Sequence, residues 1–337
     1  MDTHWLLVAS VVGAALLFDF INGFHDAANS IATLVSTRVL APSAAVVWAA
    51  AFNFLAFMIF EPTVAGTIGK GIVDPSAVDL AVIIGALGGA ITWNLLTWWW
   101  GLPSSSSHAL VGGLIGAGVS KGGFAVLGWT KIITTASFIL LSPIIGFLAS
   151  SAMVVATSWI LRKTPPGRAD RYLRPLRYLS AGAFSLSHGG NDAQKTMGII
   201  VVLLYSQGYL GATFPKGHQI PTWIVLACYA AMGLGTLSGG WRIVKTMGMR
   251  LTKLRSHGGF SAEIGGATAV FIATAMGIPV STTHTITGAI VGAGAVSNQG
   301  NVRWGIAGRI VWAWIFTIPA AAAVSALTYY VARACGV

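Results

Sequence analysis

Ser187-His188-Gly189-Gly190-Asn191-Asp192-Ala193-Gln194-Lys195-Thr196 has a counterpart near the N-terminus, Asn22-Gly23-Phe24-His25-Asp26-Ala27-Ala28-Asn29-Ser30. Each stretch lies against or inside a long apolar run and combines a carboxylate with carboxamides and glycines. An ionisable residue at membrane depth is costly and by default marks a functional site. Asp26 and Asp192 lie 166 positions apart in matching contexts, so they read as two halves of one site.

The setting is strongly apolar. Of 337 residues, 55% are hydrophobic and 9% charged, against roughly 25% charged in a soluble domain. That composition describes an all-α polytopic membrane protein. At about 20 residues per crossing, the chain holds about ten segments joined by short loops, with no room for a sizeable soluble domain. The apolar runs fall at 5–21, 27–36, 43–60, 78–100, 109–119, 130–161, 178–206, 222–239, 262–278, 285–297 and 305–333. Asp2 and the lack of a positive leader make 5–21 a first membrane helix rather than a cleaved signal. Cys228 and Cys335 form neither a disulfide framework nor a zinc spacing.

The net charge of +11 is not a nucleic-acid footprint. Eleven of the twenty Lys and Arg fall in two stretches: Arg162, Lys163, Arg168, Arg171, Arg174 and Arg177, then Arg242, Lys245, Arg250, Lys253 and Arg255. Short basic loops mark the cytoplasmic side, so the charge reports topology.

A second repeat reinforces the first. Leu102-Pro103-Ser104-Ser105-Ser106-Ser107-His108 matches Ile278-Pro279-Val280-Ser281-Thr282-Thr283-His284 at an offset of 176, and Gly112, Gly116 and Gly118 match Gly288, Gly292 and Gly294. Residues 1–161 and 178–337 therefore read as two copies of one unit, joined by a basic cytoplasmic loop at 162–177, an organisation typical of secondary transporters. The loop 61–79 holds Glu61, Lys70, Asp74 and Asp79, whereas its counterpart 241–255 holds five bases and no acid. Opposite charge bias in equivalent loops predicts opposite sides of the membrane, hence inverted topology, with both basic loops inside and both termini outside. Residues 109–119 are too short to span, so each Pro-Ser motif is expected at the tip of a re-entrant helical hairpin. Most of the 42 glycines are expected to serve helix packing.

Pro followed by Ser or Thr and an apolar run is a helix start, and capping alone would explain one such motif. Two helix N-termini aimed at one midplane region make an anion clamp, with donors from Ser105, Ser106, Ser107, Ser281, Thr282 and Thr283. Asp26, Asp192, Glu61 and Glu263 repel an anion but suit a co-transported cation, H+ or Na+. Asn29, Asn191 and Gln194 offer carbonyl oxygens to a cation and amide donors to an anion. For Asp26 and Asp192 the bland reading is a helix cap in an unwound stretch; for Glu61, beside Pro62, it is an interfacial position. Lys195 either pairs with Asp192 or reaches the anion. His25 and His188 are hydrogen-bonding residues or proton carriers, and His108 and His284 are repeat signatures.

The paired signatures, the two Pro-Ser motifs, Phe60-Glu61 and Gly259-Phe260-Ser261-Ala262-Glu263 resemble, in order and over nearly the whole chain, the pattern of the inorganic phosphate transporter (PiT) family, in its bacterial low-affinity permease type. The resemblance implies a secondary phosphate transporter of the cytoplasmic membrane with no cofactor. It also implies phosphate near the hairpin tips, cation sites at Asp26, Asn29, Asp192 and the carboxamides, with Na+ possible at Asp26 and Asp192, and a homodimer. Glu61 and Glu263 match glutamates that the family needs for transport. His25 and the Gln194-Lys195 pair depart from sodium-coupled relatives and look more like proton-coupled bacterial members, which carry a metal–phosphate complex and often work beside a PhoU-like accessory protein.

The expected function is cation-coupled phosphate import by alternating access; sulfate is the rival cargo. A hydrolase using Ser107 and His108 fails, because the repeat replaces Ser107 with Thr283 and no Gly-x-Ser-x-Gly elbow appears. A small-solute channel needs no paired carboxylates at depth.

Overall fold

The computed structural model describes residues 3–211, 213–215, 217–297 and 302–337. Asp2 and the side chain of Lys70, both used in the sequence reading, lie outside the described part.

Among the described residues there are only helices, turns and two isolated bridges. The helices are α1 Thr3–Ser36, α2 Pro42–Leu55, α3 Thr63–Gly71, α4 Leu80–Trp100, α5 Ser106–Gly122 and α6 Trp129–Ile160. There follow α7 Pro166–Ser206, α8 Thr222–Ser238, α9 Trp241–Lys245 with a π turn Thr246–Leu251, α10 Ser256–Ala275, α11 Thr282–Ser297 and α12 Trp304–Ala334. Among the described residues, five helices are long and apolar enough to cross a membrane, or up to seven if each bent pair is one span.

One order of elements occurs twice: a long helix, a bent pair, two helices that form a hairpin, and a long helix. The bent pairs turn by 88° between α2 and α3 and by 59° between α8 and α9. Gly101 (φ 66°) and Gly277 (φ 67°) end the first arm of each hairpin in the left-handed region, which a residue without Cβ adopts freely. Pro143 and Pro319 lie inside α6 and α12. The bridges Val73–Leu127 and Thr252–Val302 tie each bent pair to the start of the last helix of its series.

Each hairpin closes at its base and buries its tip. Asp79 caps α4 by accepting from Val82 N (2.9 Å), and its other oxygen pairs with Lys121 of α5 at 2.5 Å. The tip residues Ser104–Ser107 and Ser281–Thr283 are buried. Gly112 and Gly116 of α5 lie on α12, where an added Cβ would meet the carbonyls of Ile318 and Ala322. Gly288 and Gly292 of α11 lie in the same way on Pro143 and Phe147 of α6. Each hairpin thus packs on the last helix of the other series, and these glycines serve the close helix approach expected of them.

Two large apolar cores result, beside a small cluster of Ala81, Val82, Ala117, Tyr329 and Ala332. One gathers the first half of α1, α3, α4, α5, the second half of α7, and α8. The other gathers the second half of α1, α2, the first half of α7, α10 and α11. The long helices α1 and α7 run through both, and their polar residues form a buried belt between them. Outward, α6 exposes Ile133, Leu140, Ile144, Leu148 and Trp159, and α12 exposes Trp312, Phe316, Leu327 and Val331. Such continuous apolar faces suit lipid.

Four local expectations are corrected. Runs 5–21 and 27–36 are one helix, and both signatures are helical throughout, so neither Asp26 nor Asp192 caps an unwound stretch. The basic stretch 162–177 is helical from Pro166, because Pro at the first turn starts a helix whose amphipathic continuation reaches the signature without a break. The stretch 241–255 is likewise mostly helical, as α9 and its π turn. The helix after Pro103 is 17 residues rather than 109–119, because the serine run caps it and joins it.

Candidate functional site

The belt brings the two signatures and the two tips into one cluster. Asp26 and Asp192, from α1 and α7, are 2% and 0% exposed. Thr283 Oγ1 donates to Asp26 Oδ2 (3.2 Å), and Thr282 Oγ1 donates to Asp192 Oδ2 (3.0 Å). The neighbouring threonines of one tip therefore hold the acids of both signature helices. Asn29 Nδ2 donates to Thr283 Oγ1 (2.9 Å) and reaches Thr282 Oγ1 (3.5 Å). The Lys195 ammonium donates to Asp192 Oδ1, to Ser107 Oγ of the other tip, and to the Val280 carbonyl (2.8 Å).

Histidines complete the cluster. His25 Nδ1 lies 2.6 Å from Asp26 Oδ1, and its Nε2 lies 3.0 Å from Thr97 Oγ1, which also accepts from Ser104. His188 Nε2 lies 3.3 Å from Asp192 Oδ2, while its Nδ1 faces Asn53 (3.2 Å). Ligand atoms of Asp26, His188 and Asp192 all lie within 4.8 Å of one another, a spacing that fits a metal ion. His108 and His284 meet where the hairpin tips adjoin, with ring centroids 4.7 Å apart, and His284 stacks on Trp314.

At the tips, Ser105 and Ser281 are caps: their hydroxyls accept from the N–H of His108 and His284, each at 3.2 Å. The other N–H groups of a first helical turn have no intrahelical acceptor. Ser106 Oγ is buried and has no hydrogen-bond partner. The cluster thus combines two carboxylates, one ammonium, the hydroxyls of Ser106, Ser107, Thr282 and Thr283, and two helix N-termini, all buried. It can hold a small anion against the hydroxyls and a cation against the acids.

Other expected members stand apart. Asn191 Nδ2 donates to Thr274 Oγ1 (2.9 Å) and to the Ile278 carbonyl (3.2 Å), bracing the second hairpin. Gln194 turns toward the bend between α2 and α3, accepting from Val64 N (2.8 Å) and donating to the Glu61 carbonyl (2.9 Å). Both its polar groups are spent on backbone, which corrects the expectation that it faces an anion. Glu61 has an exposed side chain at that bend, outside the cluster.

Glu263 lies in a second buried network. It receives Arg177 Nε (3.0 Å) and Nη2 (2.8 Å), Thr33 Oγ1 (2.5 Å) and Ser180 Oγ. Arg177 also donates to Thr37 Oγ1 (2.9 Å). Arg177, counted among loop charges, is therefore a core residue; its spacing to Ala181, Phe184 and His188, three to four apart along one face, was the signal that could have revealed it.

Buried paired charges between two repeat-like halves, inside an all-helical shell with apolar outer faces, define a multi-pass membrane protein of the transporter class. The model described as "Phosphate transporter family" matches residues 22–176 and 162–325, and the chain belongs to that family. It is 57% identical over 326 residues to a probable low-affinity inorganic phosphate transporter of Rhizobium meliloti (strain 1021), covering 97% of this chain and 96% of the relative. A relative of the same description in Bacillus subtilis (strain 168) is 42% identical over 333 residues, covering 98% of each. A solved structure titled "The sodium-dependent phosphate transporter" shares the fold, with TM-score 0.81 at 24% identity over 97% of this chain and 99% of that one. The names describe transport, not catalysis.

Proposed function

We propose that this protein imports inorganic phosphate across the cytoplasmic membrane by cation-coupled symport, with H+ or Na+ as the coupling ion and alternating access around the buried cluster. The observation that carries this reading is the direct contact between both signature acids and one hairpin tip, in a chain of the phosphate transporter family. Phosphate sits between the tips, taking hydroxyls of Ser106, Ser107, Thr282 and Thr283, the Asn29 amide and first-turn N–H groups. The coupling cation sits against the acids of the cluster. When phosphate arrives, Thr282 and Thr283 turn from the carboxylates to its oxygens, and the cation replaces those donors. Phosphate is held there only with the cation beside it, which is what couples them.

The two series are inverted repeats whose hairpins enter from opposite faces, with residues 162–177 and 241–255 cytoplasmic and both termini outside. Arg177, Ser36–Arg38 and Arg255–His257 lie at one end of the molecule, in keeping with this sidedness. The Arg177–Glu263 network lies between the cluster and that basic end, where it closes the inward path. A homodimer and an accessory protein docked on the basic end belong to the same reading.

The test is uptake of labelled phosphate into proteoliposomes under a pH gradient or a Na+ gradient, with sulfate as competitor and Asp192→Asn as control. Gradient-driven uptake lost in the variant is expected. Uptake of sulfate with no uptake of phosphate overturns the cargo, and uptake indifferent to both gradients overturns the coupling.

A further inference from the structure

The two half-sites share part of their geometry and differ in charge. Asn29 and Lys195 occupy matching positions, three residues after Asp26 and Asp192. Their contacts match as well: Asn29 donates to Thr283 at the second tip, and Lys195 donates to Ser107, the counterpart of Thr283 at the first tip. One half thus carries a neutral amide where the other carries an ammonium.

That ammonium is held as a hard cation would be. Its three donors meet three kinds of oxygen: the Asp192 carboxylate, the Ser107 hydroxyl and the Val280 carbonyl. Carboxylate, hydroxyl and backbone carbonyl oxygens are the donors that sequester small cations of fixed charge. Lys195 is 2% exposed, and its tether allows no exchange with solution. In the Asp26 half no Lys or Arg among the described residues meets the carboxylate. There Asn29 Oδ1 is buried without a donor, an acceptor left open beside a carboxylate whose nearest titratable partner is His25.

We infer that Lys195 is a built-in cation, filling one of two repeat-related cation positions, so that only the Asp26–Asn29 half takes a mobile coupling ion. The inference rests on the symport reading and deepens it: each phosphate then travels with one fewer mobile cation than a chain with an amide in both halves would use. Lys195 becomes the residue that sets coupling number.

The experiment counts Na+ bound by purified protein in detergent, without phosphate, using labelled Na+ at equilibrium with a large organic cation as the replacement salt. Lys195→Asn, which copies the Asn29 half, is expected to bind one Na+ per chain more than the wild type, and Lys195→Arg to bind no more than it. A Lys195→Asn protein that folds and binds the same number overturns the inference. If Lys195→Asn or Lys195→Gln melts early, Na+ is expected to raise its melting temperature by more than it raises that of the wild type, whereas an equal effect on both overturns the inference. Phosphate uptake by the wild type is followed in parallel. Its failure would count against the transport reading alone, because the cation count uses no phosphate.

Discussion

Removing the charge of Glu263 while keeping its shape isolates what the second buried network contributes. In Glu263→Gln the guanidinium of Arg177, itself fully buried, loses its only counter-charge among the described residues; the hydroxyls of Thr33 and Ser180 lose a charged acceptor. Breaking a buried pair from one side costs about 3–5 kcal/mol, because the remaining charge is left uncompensated. Arg177→Met strands the carboxylate and is expected to cost a similar amount. The double variant Arg177→Met/Glu263→Met leaves no stranded charge, and apolar replacements of such pairs are often neutral, so it should recover most of the loss. Unfolding of purified protein in detergent, followed through the fluorescence of its thirteen tryptophans, provides the assay. Single losses below about 1 kcal/mol, or a double variant as unstable as the sum of the singles, would refute the reasoning.

Four further outcomes follow from the geometry. Gln194→Leu removes two buried bonds to backbone at the α2–α3 bend and is expected to cost about 1–3 kcal/mol of stability; phosphate affinity should hardly change, and a selective loss of affinity would put Gln194 back in the anion site. Gly116→Ala drives a Cβ into the Ala322 carbonyl of α12 and should destabilise by about 1–3 kcal/mol in melting experiments. Gly167→Ala, a helical site with open space around it, should instead gain up to about 1 kcal/mol. Single cysteines at Lys121 and Arg303 should react with a membrane-impermeant thiol reagent from opposite sides of sealed vesicles; reaction from the same side contradicts the inverted arrangement.

The architecture was legible because repeats leave marks that local folding does not erase. The paired Pro-Ser runs announce two hairpins, and the structure adds a left-handed glycine, Gly101 or Gly277, before each and a hydroxyl cap after it. That Asp26, Asp192 and Lys195 lie in one buried cluster was legible because charge is rare in so apolar a chain. Which way a polar side chain turns was not legible. Gln194 and Lys195 are neighbours on α7, yet a step of about 100° around the helix aims one at the α2–α3 bend and the other at the tips. Arg177 read as a loop charge because basic residues surround it in sequence, while its partner lies 86 positions away on α10. Ser105 is one of a run of four serines and Ser281 is followed by two threonines, and only the first helical turn decides that these two cap rather than face the acids.

The claim that both tips serve one phosphate site is tested most directly by equilibrium binding of labelled phosphate to purified protein, comparing the wild type with Ser107→Ala and Thr283→Val. A hydrogen bond to a charged ligand is worth about 1.5–3 kcal/mol, or roughly 10- to 100-fold in affinity. The account predicts one phosphate per chain and a loss of that size in each variant, since the residues come from different tips. Unchanged binding in both variants, or two phosphates per chain bound independently, would contradict it.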